Sequence, residues 1–175
     1  MPDAVEETRV WVRLDSPLGD LVAARTERGL RGVWFADHRG GFPTVLGTRT
    51  EPGADPVLDD LGGQLREYFA GARREFRLPL DPVGSPFELR VWAALREIPY
   101  GATRSYGDLA RELGGIGHAQ AVGAANGRNP LSIVVPCHRV VGTAGALTGY
   151  AGGLWRKRFL LSLEEPDAAE AARLF

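Results

Sequence analysis

The 175-residue chain has little of several residue types that would otherwise point to a function. With one cysteine, Cys137, it can form no internal disulfide and build no cysteine-rich zinc site. Its three histidines are scattered, so neither a metal nor another cofactor is expected. No uninterrupted apolar run approaches the roughly 20 residues of a membrane-spanning helix. Met1 to Val10 is acidic where a secretory signal would be basic and then apolar. The expectation is a soluble, cytoplasmic protein with no membrane partner. Hydrophobic residues make up 44% and charged residues 25%, which is ordinary globular usage and excludes a disordered, collagen-like or coiled-coil chain.

Lysine is nearly absent, Lys157 standing alone in an arginine-rich chain. The net charge of −1 disfavours a polyanion partner on its own, but it hides an asymmetry. Between Ser85 and Leu163 nine basic residues face four acidic ones, a net of +5, and the remainder carries −6. Solvated faces and codon composition account equally well for any single arginine.

Arg9–Asp15, Asp20–Arg25 and Leu30–Ala36 alternate or run apolar between turn signals, which predicts a small antiparallel meander. Asp37 to Pro56 reads as a long loop. Leu58, Leu61, Leu65, Tyr68 and Phe69 then share one helical face, although Gly62 and Gly63 weaken the pattern. Phe76–Leu80 reads as a short strand. The run Asp81–Pro86 has a linker's composition and places a domain boundary between 1–82 and 83–175. Beyond it, a helix from Phe87 to Ile98, capped by Ser85, precedes a helix-turn-helix pattern: Ser105–Leu113, a turn at Gly114–Gly117, and His118–Asn126. The second of these helices is mostly Ala, Gly and Val. Small residues let it approach another backbone, but they equally suit a tightly packed core helix.

Leu131–Val135 reads as a buried strand that stops at Pro136 and delivers Cys137, His138 and Arg139 before Val140–Val141 resumes it. A lone cysteine in an apolar run is more often an inert core residue. An adjoining imidazole and a nearby guanidinium are the groups that would accept its proton or lower its pKa, and Glu164 is a candidate to orient the imidazole.

The run Val135-Pro136-Cys137-His138-Arg139-Val140-Val141 resembles the active-site signature of the O6-alkylguanine-DNA alkyltransferases, the methylated-DNA–protein-cysteine methyltransferase family. In the same order follow the family's other segments: Ile98-Pro99-Tyr100-Gly101, Ser105-Tyr106, Ala121 to Asn126, Asn129-Pro130, Leu147 to Gly153 and Arg156-Lys157. The resemblance covers about Phe87 to Glu165. It implies an α+β protein in which a small, structural N-terminal αβ roll (antiparallel sheet plus helix, RNase H-like) precedes a C-terminal winged helix-turn-helix. It further implies Cys137 as the alkyl acceptor, His138 as its base through a water, and Glu164 as the orienting carboxylate. Asn129 is then the hinge between recognition helix and active-site loop, and Tyr106 the residue that rotates the phosphate and donates to the leaving guanine. Ser105, Gln120, Ala121, Gly123, Ala124, Asn126 and Arg128 would face DNA, with Tyr150, Ala151 and Gly152 walling the base pocket. The implied partner is double-stranded DNA bearing alkylated guanine, bound through the minor groove without sequence preference, by a monomer whose cooperativity on DNA is left open. O4-alkylthymine is a second candidate substrate.

Gln120 departs from the family pattern, which places an arginine finger there. Three other readings stand beside the resemblance. A non-catalytic winged-helix protein that only senses alkylated bases would lack the acceptor cysteine. A cysteine hydrolase usually keeps its Cys and His far apart in sequence and needs an oxyanion hole, for which no motif is evident. A methylation-switched regulator would carry an additional cysteine-rich metal module.

Overall fold

A computed structural model describes residues 9–38 and 46–165. The expected meander forms as β1 (Val10–Leu14), β2 (Leu21–Arg25) and β3 (Leu30–Phe35), antiparallel throughout, with Trp11 opposite Ala24 and Ala23 opposite Val33. The loop expected from Asp37 to Pro56 contains a further short strand, β4 (Thr48–Arg49), parallel to β1, so the sheet is mixed with order β3-β2-β1-β4. Two residues are too few for an alternation pattern to register. Residues 39–45 of that segment and the acidic tail after Glu165 lie outside the described residues.

Helix α1 (Pro56–Phe69) starts at an Asp55 cap with proline in its first turn and continues through Gly62 and Gly63. Each glycine costs about 1 kcal/mol in helix propensity. Burial of Leu58, Leu61, Leu65 and Tyr68 outweighs that cost. The strand expected at Phe76–Leu80 reduces to one bridge between Leu80 and Leu30, closed by Leu30 N to Pro79 O at 2.9 Å and Asp81 N to Leu30 O at 2.8 Å. Gly29, at φ +154°, makes that approach possible, because a Cβ there would lie 2.6 Å from the Pro79 carbonyl.

The second half contains α2 (Pro86–Arg96), β5 (Arg104–Ser105), α3 (Tyr106–Leu113), α4 (Ala119–Gly127), β6 (Val140–Val141) and α5 (Leu154–Glu164). Ser85 and Glu88 close a reciprocal capping box on α2, and Ser105 and Asp108 close another on α3. Helices α3 and α4 form the helix-turn-helix, and β5 pairs in parallel with β6. One continuous apolar core joins both halves, from Val12 and Phe35 to Val122 and Leu160.

The segment ahead of the cysteine is not the strand its sequence suggests. Only Leu131 makes a bridge, to Val33, with Val33 N donating to Pro130 O at 2.8 Å and Ser132 N to Val33 O at 3.0 Å. The chain then turns sharply, closed by Val135 N to Leu131 O at 2.9 Å, with Ile133 at φ +72°. A β-branched residue in that region stores about 1–3 kcal/mol of strain. The run Leu-Ser-Ile-Val-Val reported burial, which the structure confirms, but burial does not specify extended backbone.

Asp55 joins α1 to the sheet: Oδ1 accepts from Leu58 N at 3.0 Å, and Oδ2 accepts from Arg25 Nε at 2.7 Å and from Arg25 Nη2. The Arg25 hydrogen bond, opposed by burial, holds the Asp55 carboxyl below the usual carboxylate range. A depressed folded pKa contributes stability that is present above the unfolded value, near pH 4, and lost as pH falls through the folded value. Asp55→Asn keeps a capping oxygen but loses the charge. Its Tm deficit against wild type is therefore expected to be largest at neutral pH and to close below about pH 4, while Asp55→Ala loses a further cap of about 1 kcal/mol. Thermal unfolding across that range checks this; a pH-independent deficit for Asp55→Asn would contradict it.

Candidate active site

The tight turn after Leu131 delivers Cys137 as the first residue of a single 3-10 turn, Cys137–Arg139. Two asparagines hold this turn. Asn129, just past α4, accepts from Leu131 N at 3.0 Å and donates to Val135 O at 2.8 Å, so both ends of its amide are used. Asn126, on α4, donates to Cys137 O at 3.4 Å. The helix-turn-helix and the cysteine loop are thus tied by side-chain amides.

Cys137 is only 6% exposed. Burial pushes its thiol pKa up, offset in part by the Asn129 amide and the Lys157 ammonium. The guanidinium of Arg139, expected to act on the thiol, points elsewhere: Nε donates to Glu164 Oε1 at 2.6 Å and Nη1 to Ile98 O at 2.6 Å. The cation that does act on the thiol is Lys157.

His138 is fully buried, with Nε2 lying 2.8 Å from Glu164 Oε2 and 3.1 Å from Oε1. Burial lowers the His138 pKa despite Glu164. Burial alone would raise Glu164, but the His138 and Arg139 hydrogen bonds prevail and hold it at about 2. A neutral imidazole beside an ionised carboxylate must carry its proton on Nε2, because the carboxylate can only accept. His138 Nδ1 is then a bare lone pair, and it has no protein partner.

A cleft of about 280 Å³ lies between α3, α4 and the chain before α5, lined by Tyr106, Gly123, Asn126, Gly149, Tyr150 and Ala151. Cys137 is not among its lining residues; Asn126 connects the cleft to the cysteine loop. Tyr150 is buried with its hydroxyl unpartnered, edge-on to Phe35 at 6.4 Å. Gly152 is required by close packing, since a Cβ there would meet Phe35 at 2.7 Å and Tyr150 at 2.9 Å.

Of the residues expected to face DNA, Gln120, Ala121, Ala124 and Arg128 lie on the exposed side of α4 or just beyond it, and Gly123 is half-buried against Tyr106. Ser105 spends its hydroxyl on the α3 cap, accepting from Asp108 N at 3.0 Å. Tyr106 donates weakly to Thr148 O at 3.4 Å. The +5 excess overstates the surface field. Arg139, Arg156 and Lys157 are buried, and Arg139 and Arg156 pair with Glu164 and Asp37, acids outside the segment counted.

Three side chains at the site had no assigned role in the sequence. Tyr68, read only as helix-face core, donates its hydroxyl to Glu164 Oε2 at 3.1 Å. Lys157 Nζ donates to Val140 O at 2.6 Å, Thr148 O at 2.7 Å and Gly149 O at 3.4 Å. Arg156 stacks on Phe35 at 4.3 Å and donates to Leu18 O, Asp37 Oδ1 and Gly152 O. The signal available for Lys157 was its singularity. In a chain that otherwise uses arginine, a compact ammonium suits convergent carbonyls where a planar fork does not.

Residues 10–82 match the ribonuclease-like domain of 6-O-methylguanine DNA methyltransferase, and residues 86–166 match its DNA binding domain. A methylated-DNA–protein-cysteine methyltransferase of Mycolicibacterium paratuberculosis is 47% identical over 162 residues, covering 93% of this chain and 96% of that one. A constitutive one of Bacillus subtilis is 44% identical over 155 residues, covering 88% and 94%. The crystal structure of the Mycobacterium tuberculosis O6-methylguanine methyltransferase superposes with a TM-score of 0.82 at 42% identity, covering 96% of this chain and all of that one. The Mycobacterium tuberculosis OGT in complex with DNA gives 0.81 at 44% identity, covering 89% and 92%. With the cysteine, its imidazole and the helix-turn-helix placed as described, the chain belongs to the methylated-DNA–protein-cysteine methyltransferase family.

Proposed function

We propose that this protein repairs duplex DNA by moving an alkyl group from guanine O6 to its own Cys137, once per molecule. The observation that carries this reading is the buried Cys137–His138–Glu164 sequence of groups, in which an unpaired Nδ1 lone pair belongs to the residue next to the only thiol. The thiol proton passes to His138 through a water while sulfur attacks the alkyl carbon. The S–C bond forms as the C–O6 bond breaks, and the electron pair leaves on the purine, which takes up a proton from Tyr106. Glu164 fixes the imidazole's orientation and stabilises the imidazolium. The product is a thioether, which water does not cleave, so the molecule is used once.

An alkyl carbon on O6 sits inside the base stack, so the nucleotide has to be extruded. The cleft beside Tyr106 and Tyr150–Gly152 is the receiving pocket on this reading, with Asn129 as the hinge that couples it to α4. The small exposed residues of α4, Ala121 and Ala124 with Gly123 behind them, suit close approach to a minor groove, and Ser105 and Arg128 flank that face. Contacts to phosphates carry no sequence information, so binding is nonspecific in sequence. Burial of Arg139, Arg156 and Lys157 reduces the phosphate-neutralising charge below what the composition suggests. A sensor that binds lesions without removing them would not need the acceptor thiol.

Titration with duplex carrying radiolabelled O6-methylguanine is expected to plateau at one methyl per protein, on Cys137, and Cys137→Ala is expected to take up none while still binding DNA. Repeated turnover, or label elsewhere, would refute the assignment. The rate should rise as His138 loses its proton, at a pH below its ordinary value of 6.5, and stay level through neutrality. Gln120 can hydrogen-bond an orphaned cytosine but lacks arginine's charge and stacking breadth. Gln120→Arg is therefore expected to bind duplex several-fold more tightly and to repair faster; equal affinity and rate in parallel stopped-flow assays would remove that claim.

A further inference from the structure

The Glu164 carboxylate accepts from four donor groups: His138 Nε2, Arg139 Nε, Arg139 Nη2 and the Tyr68 hydroxyl. An ionised carboxylate offers about four lone-pair sites, so this one is saturated. Three donors come from the C-terminal half. The fourth is Tyr68, on α1 in the N-terminal half and 96 residues away in sequence. Its ring is fully buried, boxed by Phe69 at 5.4 Å, Phe76 at 5.3 Å and Tyr100 at 6.3 Å. A phenylalanine would meet that apolar packing equally well, so the hydroxyl at this position needs its own explanation. It donates to Oε2, the same oxygen that lies 2.8 Å from His138 Nε2.

We propose that Tyr68 is a positioning residue for the reaction, through which the N-terminal domain sets the basicity of His138 by sharing Glu164 Oε2 with it. This rests on the reading of His138 as the base. Donation from Tyr68 withdraws negative charge from the oxygen that would stabilise the imidazolium, and it removes a lone pair toward which the carboxylate could rotate away from the ring. The other groups acting on His138 are Arg139 from its own turn and Lys157 from α5, both cations that disfavour the imidazolium. Cys137, the adjoining thiol, is uncharged at rest because burial keeps its pKa high. Glu164 alone favours the imidazolium, so tempering its charge leaves a neutral imidazole ready to accept a proton across the physiological range.

The experiment is Tyr68→Phe in the full-length protein, followed by ¹⁵N-histidine NMR titration. Only three histidines contribute signals, and His138→Gln identifies the relevant one. The His138 pKa is expected to rise by about half a unit, which lowers the methyl-transfer rate about threefold on the acid limb of the pH profile. Should Tyr68→Phe fail to fold, site-specific 3-fluorotyrosine at position 68, a stronger donor, is expected to move the His138 pKa downward. A lowered Tm with an unmoved His138 pKa would make Tyr68 a packing residue only and overturn the proposal. The imidazole signal is read without alkyl transfer, so failure of Cys137 to accept a methyl group would count against the proposed function and not be confused with failure here.

Discussion

A single buried negative charge organises this site. Glu164 is 2% exposed, and an ion taken that far from water carries a penalty of several kcal/mol unless its hydrogen-bonding capacity is met. Meeting it recruits His138 and Arg139 from the cysteine turn, Tyr68 from α1, and the end of α5 that carries Glu164 itself. Those three segments cannot shift independently without leaving the charge partly unpaired. Arg139 extends the constraint to Ile98 O, just past the end of α2. The geometry of the imidazole is therefore a consequence of solving a desolvation problem, and the same solution fixes which ring nitrogen carries the proton.

Two buried cations organise the opposite wall by a parallel logic. Lys157 has three N–H donors and meets three carbonyls, joining Val140 of β6 to Thr148 and Gly149 of the segment before α5. Burial lowers its pKa to about 8, so it still carries its charge at neutral pH and lies close enough to affect the Cys137 thiol. Arg156 connects the same wall to the N-terminal half through Leu18, Asp37 and the face of Phe35. The two halves therefore meet through satisfied ions as well as through the shared core. The Val33–Leu131 bridge ties the segment that leads into the cysteine turn to the edge strand β3 of the N-terminal sheet.

Much of this was legible in the sequence, and the pattern of what was not has a physical explanation. The meander follows from local periodicity, and α2 and α3 from periodicity and caps; α4, which has no side-chain cap, follows from the turn glycines before it and its run of small helix-compatible residues. Cys137, His138 and Glu164 were marked by residue chemistry and family motif, and the fold brings Glu164 to the imidazole that adjoins the cysteine in sequence. The strand expected at Leu131–Val135 was not formed, because apolar β-branched runs mark burial while the turn there depends on long-range bonds to Val33 and on the local side-chain bonds of Asn129. Tyr68 was invisible as a site residue for a related reason. Its hydroxyl acquires meaning only from a carboxylate 96 residues later, and on the helix it repeats the same apolar period as Leu61 and Leu65. Charge counting failed similarly: it cannot tell a solvated arginine from one buried against Glu164 or Phe35.

The combination of a raised thiol pKa and a lowered imidazole pKa bears on how a single-use protein survives until it meets its substrate. A standing thiolate would react with stray electrophiles and oxidants, and each such event would consume the molecule as surely as repair would. Here desolvation favours the uncharged thiol and the uncharged imidazole together, so the resting site stores no ion pair between them. On the proposed mechanism the thiolate arises only as sulfur attacks, when the proton moves to His138 and Glu164 is already in place to stabilise the new cation. Lys157 then contributes a positive charge near the sulfur at the moment negative charge develops, and the negative charge passes on to the purine as the C–O6 bond breaks. Reactivity is thus deferred to the occupied pocket, and the burial that makes Cys137 look like an inert core residue is what protects it as a nucleophile.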